Sequence, residues 1–62
     1  MSHEPRVNDR VRLPSPSSDV IARVIRVNGT GPEALVTVEY PLDEDSNETL
    51  TKGFHARQLR AA

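Results

Sequence analysis

The sequence predicts an all-β fold: a small sheet of five strands, rolled on itself, with one short 3₁₀ turn before the last strand. Three observations predict it. Residues 7–13, Val-Asn-Asp-Arg-Val-Arg-Leu, run from a polar turn into clean polar/apolar alternation. Residues 51–60 close the chain as strand, tight polar turn and short strand. Between them, two segments rich in β-branched residues are joined by Asn28-Gly29-Thr30-Gly31, a strong hairpin signal.

Each element follows in order. Residues 1–6 read as a flexible tail ahead of one domain over residues 7–62. In the first strand the alternation turns Val11 and Leu13 inward and Arg10 and Arg12 outward. Pro14 and Pro16, with Ser15, Ser17 and Ser18, end it, because proline cannot continue a central ladder. A second strand spans residues 19–27. Val20, Val24 and Val27 also fit a helical period, but β-branched enrichment and the flanking proline and glycine turns favour a strand. Asn28 and Gly29 suit the positive φ of a tight hairpin. The third strand, residues 34–40, sets Val36, Val38 and Tyr40 on one face and Thr37 and Glu39 on the other. Pro41 stops it, residues 42–47 form an acidic loop, and residues 48–54 form a fourth strand in which Gly53 marks a bend or bulge. Residues 55–58 are too few for a stable α-helix and suit a 3₁₀ turn, and Leu59-Arg60 begins the fifth strand.

With 62 residues and 35% hydrophobic content, the chain has room for a single small core. Cysteine is absent, so no disulfide or thiolate–metal site reinforces it, and a reducing, cytoplasmic setting is expected. The formal net charge is -1, against a general polyanion binder, although every basic residue except Lys52 is an arginine. No stretch is long and apolar enough to span a bilayer, and the first residues lack the hydrophobic region of a signal peptide.

The opening Asn8-Asp9-Arg10-Val11-Arg12-Leu13 and the closing segment from Phe54 to Leu59 resemble those of the SH3-like barrel class. Tudor-like and KOW-like domains, a small accessory protein of photosystem I and the type II dihydrofolate reductases share that plan. The resemblance covers residues 7–60 and implies a small five-stranded SH3-like barrel that serves as a binding scaffold. Its motifs single out no family. Tyr40 and Phe54 are too few aromatics for a methyl-lysine cage or a polyproline groove. Asn28-Gly29 sits in a plain hairpin instead of a KOW turn. Leu50-Thr51-Lys52-Gly53-Phe54 departs throughout from the Val-Gln-Ile-Tyr-like run of the type II reductases.

The second strand carries apolar side chains at both parities, where a half-buried strand needs one. With Ala22 and Val24 inside, Ile21 and Ile25 face outward, and a bulge near Ile25 returns Val27 to the interior. Leu35 shares the outward face. Ile21, Ile25 and Leu35, rimmed by Arg23, Arg26 and Thr37, therefore form the expected protein-binding surface, for a partner protein or for self-association into a homo-oligomer. That makes the chain a non-catalytic accessory or regulatory protein. The alternative is a nucleic-acid-binding barrel that uses Arg10, Arg12, Arg23, Arg26 and Arg60 on phosphates. A weaker one is an oligomeric enzyme like the type II reductases, with its site at a symmetry axis.

Other clusters carry less. Asp43-Glu44-Asp45 with Glu48 lacks the ligand alternation and internal glycine of a calcium loop and reads as a solvated loop that steers a basic partner. His3 and His55, without cysteines, are a poor metal set. A triad of Ser17, His55 and Asp19 has no support from spacing. No cofactor is expected.

Overall fold

The structure, a computed structural model, describes residues 5–16, 19–42, 45 and 47–62. Five strands form one antiparallel sheet: β1 (Arg10–Arg12), β2 (Ile21–Asn28), β3 (Leu35–Pro41), β4 (Thr49–His55) and β5 (Arg60–Ala61). A 3₁₀ turn, η1 (Ala56–Gln58), precedes β5. The spatial order is β4-β3-β2-β1-β5, so β4 and β5 are the two edges. The all-β class, the five strands along the chain and the 3₁₀ turn before the last strand agree with the sequence reading.

One face of the sheet holds the core. Val24, Val36 and Val38 are fully buried, and Val11, Leu13 and Ala22 complete the cluster. Val20, Val27, Tyr40, Phe54, Ala56 and Leu59 pack around it. β1 and β3 reach this arrangement by simple alternation, as expected of a sheet buried on one side. β2 does not. Arg23 pairs with Glu39 and Val24 with Val38, but Arg26 then pairs with Thr37 and Val27 with Val36. Ile25 is the extra residue. This bulge lets Val24 and Val27, three positions apart, both face inward.

The bulge falls where the alternation of β2 breaks, near Ile25, and not at Gly53. Gly53 stays in unbroken register opposite Thr37. The Leu35 side chain lies across it, with Cδ1 3.5 Å from where a Cβ would stand. A bare strand position here gives Leu35 a flat surface to cover.

The β2–β3 connection turns on its glycines. Gly29 has φ 90° and Gly31 φ 72°, while Asn28 stays in the ladder opposite Leu35. The left-handed Asn lies elsewhere: Asn8, φ 78°, in the turn before β1. Arg6 N donates to Asp9 Oδ2 at 2.9 Å, Asn8 N to the Val24 carbonyl at 2.8 Å, and Val24 N to the Asp9 carbonyl at 2.9 Å. These bonds extend the β1–β2 ladder and tie Arg6 into the turn.

The closing segment is held the same way. His55 ends β4, and its N–H donates to Gln58 Oε1 at 2.9 Å. Ala56 N donates to the Ala34 carbonyl at 2.9 Å and Arg57 N to the Pro32 carbonyl at 3.1 Å, docking η1 against the β2–β3 hairpin. Leu59 then returns to the core.

The two glycines respond oppositely to alanine. Gly29→Ala forces an L side chain into a left-handed conformation and is expected to cost about 1–2 kcal/mol. Gly53→Ala meets only ordinary van der Waals contact and removes strand-interior flexibility. It is expected to be neutral or stabilising by up to about 1 kcal/mol. Urea unfolding of both variants checks the pair.

Candidate functional site

The outer face of the sheet, opposite the core, collects nearly every residue singled out by the sequence. Directly opposed residues of an antiparallel pair project from the same face, so the ladder can be read row by row. Arg60 faces Arg12, and Arg12 faces Ile21. In the next row Arg10 faces Arg23, Arg23 faces Glu39, and Glu39 faces Thr51. Beyond the bulge, Ile25 and Arg26 together oppose Thr37, with Leu35 two residues along β3.

Register therefore brings the five arginines Arg10, Arg12, Arg23, Arg26 and Arg60 onto one surface, and sets two like-charged pairs directly across from each other. Such opposition destabilises a sheet. One relief is local: Arg23 Nη2 donates to Glu39 Oε1 at 2.8 Å. The pair is partly exposed and contributes at most about 1 kcal/mol.

The aliphatic residues share this face but do not form one patch. Ile21, Ile25 and Leu35 are 39%, 37% and 45% exposed. Ile25 and Leu35 flank Thr37. Ile21 lies beside Arg12, some four residues down the strand, roughly 13 Å away at the rise of a strand. The row of Arg10, Arg23 and Glu39 runs between them. The outer surface is thus an alternation of guanidinium and aliphatic groups.

Pro14, Ser15 and Pro16 border a cleft with Leu13, Tyr40, Lys52 and Phe54, at the rim of the core face. Lys52 Nζ stands 5.5 Å from the centre of the Phe54 ring. Both aromatics therefore belong to the inner side. A shallow depression beside η1 is lined by Arg12, Arg57, Arg60, Ser15 and Gln58. Arg57 Nη1 there donates to Glu33 Oε1 at 3.0 Å.

His3, Ser17, Asp43 and Glu44 lie outside the described residues. Asp19 and Asp45 are exposed in turns. Among the described residues, no three of His, Asp and Glu lie close enough to share a metal ion.

Sequence reasoning did not single out the row structure of the arginines, because cross-strand partners depend on register. It also passed over β4 as an edge, although Thr49-Leu50-Thr51-Lys52 carries a signal: alternation without a buried row.

No protein-family model, curated protein or solved structure matches this chain. The geometry of the outer face is the ground for a functional reading.

The bulge can be tested on its own. Deleting Ile25 leaves Val24, Arg26 and Val27 in plain alternation with every β2–β3 partner kept, so the variant is expected to fold. Deleting Arg23 moves the whole start of β2 to the wrong face and is expected to abolish folding. Circular dichroism and thermal unfolding of the two deletions distinguish the cases.

Proposed function

We propose that this chain is a non-catalytic binding module of the SH3-like barrel class, and that its outer sheet face docks on an acidic protein surface. The observation that carries the reading is the mixture on that face: Arg10, Arg12, Arg23, Arg26 and Arg60 interleaved with exposed Ile21, Ile25 and Leu35. Guanidinium groups supply planar, bidentate recognition of carboxylates, and the aliphatic groups supply desolvated area. A partner that places carboxylates between Arg10 and Arg23 also relieves the repulsion of that opposed pair. An accessory or regulatory role suits a chain of this size.

A second reading, nucleic-acid binding, is favoured by the same opposed arginines, since phosphates would relieve them equally well. Three features support the protein reading over it. Tyr40 and Phe54 lie on the inner side, so the outer face has no stacking platform for bases. Glu39 stands in the middle of the arginine rows. The net charge is -1.

The test is affinity capture from the native lysate, with and without nuclease, using the wild type, Arg10→Glu/Arg12→Glu and Ile25→Asp. Anisotropy titrations against duplex DNA and single-stranded RNA run in parallel at near-physiological salt. The expected result is a nuclease-resistant, acid-rich protein partner lost from both variants. A partner lost on nuclease treatment, together with a steep salt dependence of DNA or RNA binding, would transfer the face to nucleic acid.

A further inference from the structure

The two edges of the sheet are unequal. β5 is two residues long, too short to template another strand, whereas β4 has seven residues, with Thr49 to Gly53 all exposed. A long exposed edge presents unpaired main-chain groups that natural proteins usually block.

Which groups β4 presents follows from its bonds to β3. Leu42 N donates to the Glu48 carbonyl at 3.0 Å, and Ala56 N to the Ala34 carbonyl at 2.9 Å. Both contacts continue the β3–β4 register beyond the ends of the strands. In an antiparallel ladder, bonded pairs alternate with non-bonded ones. Leu50, Lys52 and Phe54 therefore turn their N–H and C=O groups to β3, and Thr49, Thr51 and Gly53 turn theirs outward. His55 belongs to the outward set, and its N–H bonds Gln58 Oε1 rather than β3. Among the described residues, no strand pairs with the outer side of β4.

We propose that β4 pairs antiparallel with β4 of a second copy of this chain, about a two-fold axis at Leu50. Every residue of β4 is a centre that obeys the hydrogen-bond parity, and the others are poor: centring on Thr49 sets Glu48 against Leu50, and centring on Gly53, Phe54 or His55 runs the pairing into η1. Centring on Lys52 sets two ammonium groups opposite each other. Centring on Thr51 sets Leu50 against Lys52. Centring on Leu50 sets Leu50 against Leu50, Thr49 against Thr51, and Lys52 against Glu48. These are an apolar pair, threonine pairs and opposite-charge pairs, the combinations that stabilise neighbouring strands. Leu50, 42% exposed in the single chain, is covered, and it continues the inner face next to Tyr40. Lys52 thus selects the register: it blocks the pairing of greatest overlap and favours the one whose axis lies two residues away, at Leu50. The self-complementarity of charge and apolarity identifies a second copy as the occupant, not a foreign strand.

Cysteine cross-linking reads the register directly, because the chain has no cysteine of its own. Opposed residues of a non-bonded antiparallel pair have Cα atoms about 4.5 Å apart, within the span of a disulfide. Leu50→Cys is expected to oxidise to a covalent dimer far faster than Val7→Cys, an exposed position off the edge. Thr51→Pro removes an N–H that points away from β3, and is expected to give a folded monomer by sedimentation and circular dichroism. Amides of Thr49, Thr51 and Gly53 are expected to gain protection from exchange as concentration rises, while those of Leu50 and Lys52 stay protected throughout. The pairing is overturned by a wild type that remains monomeric at millimolar concentration, by cross-linking of Leu50→Cys no faster than Val7→Cys, or by a dimer that survives Thr51→Pro. Arg10→Glu/Arg12→Glu and Ile25→Asp leave β4 untouched, so loss of outer-face binding and loss of the dimer are separate results.

Discussion

The insertion of Ile25 between two correctly facing valine pairs is the constraint on which the rest of the structure depends. Val24 against Val38 and Val27 against Val36 form the centre of the core, and a regular strand presents only one of Val24 and Val27 to it. A chain this short has a core that supplies only about 3–5 kcal/mol. Losing one buried valine row to solvent would consume most of that. The bulge resolves the conflict by displacing one residue, and the displaced residue is necessarily apolar and outward. The exposed aliphatic character of the outer face is thus a consequence of how the inner face is filled.

The outer face carries a second cost with a physical origin. Antiparallel register sets Arg10 across from Arg23 and Arg12 across from Arg60. Opposite signs across such pairs would be more stable. Glu39 offsets part of the repulsion through Arg23. The opposed Arg10 and Arg23 are the part of this face that the proposed acidic partner would relieve.

The strands were legible because their signals are local. Alternation in Arg10-Val11-Arg12-Leu13 and in β3, proline stops and a glycine-rich hairpin act within a few residues. Even the bulge was readable, since Ile21, Ala22, Val24, Ile25 and Val27 cannot all sit on one side of a regular strand. What was not legible depends on partners distant in sequence. Gly53 looks like a bend in isolation; the structure uses it as a floor beneath Leu35, a neighbour known only from register. Asn28 looks like a turn residue and remains in the ladder, because Gly29 and Gly31 already supply the left-handed positions. The separation of Ile21 from Ile25 and Leu35 likewise follows from the row of Arg10, Arg23 and Glu39, which involves three strands.

In the proposed dimer, face and edge are coupled through the symmetry that β4 pairing imposes. Opposed residues of paired strands lie on the same side of a sheet, so a two-fold axis at Leu50 is normal to the sheet and sets both outer faces on one side. The arginine rows of the two copies then lie in one continuous surface, flanking a seam of Thr49, Thr51 and Gly53 that carries no charge. A partner with acidic groups along its length meets both copies at once, and the second contact becomes intramolecular, raising avidity without new side chains. In that dimer a small chain with a modest face would gain by avidity what it lacks in area.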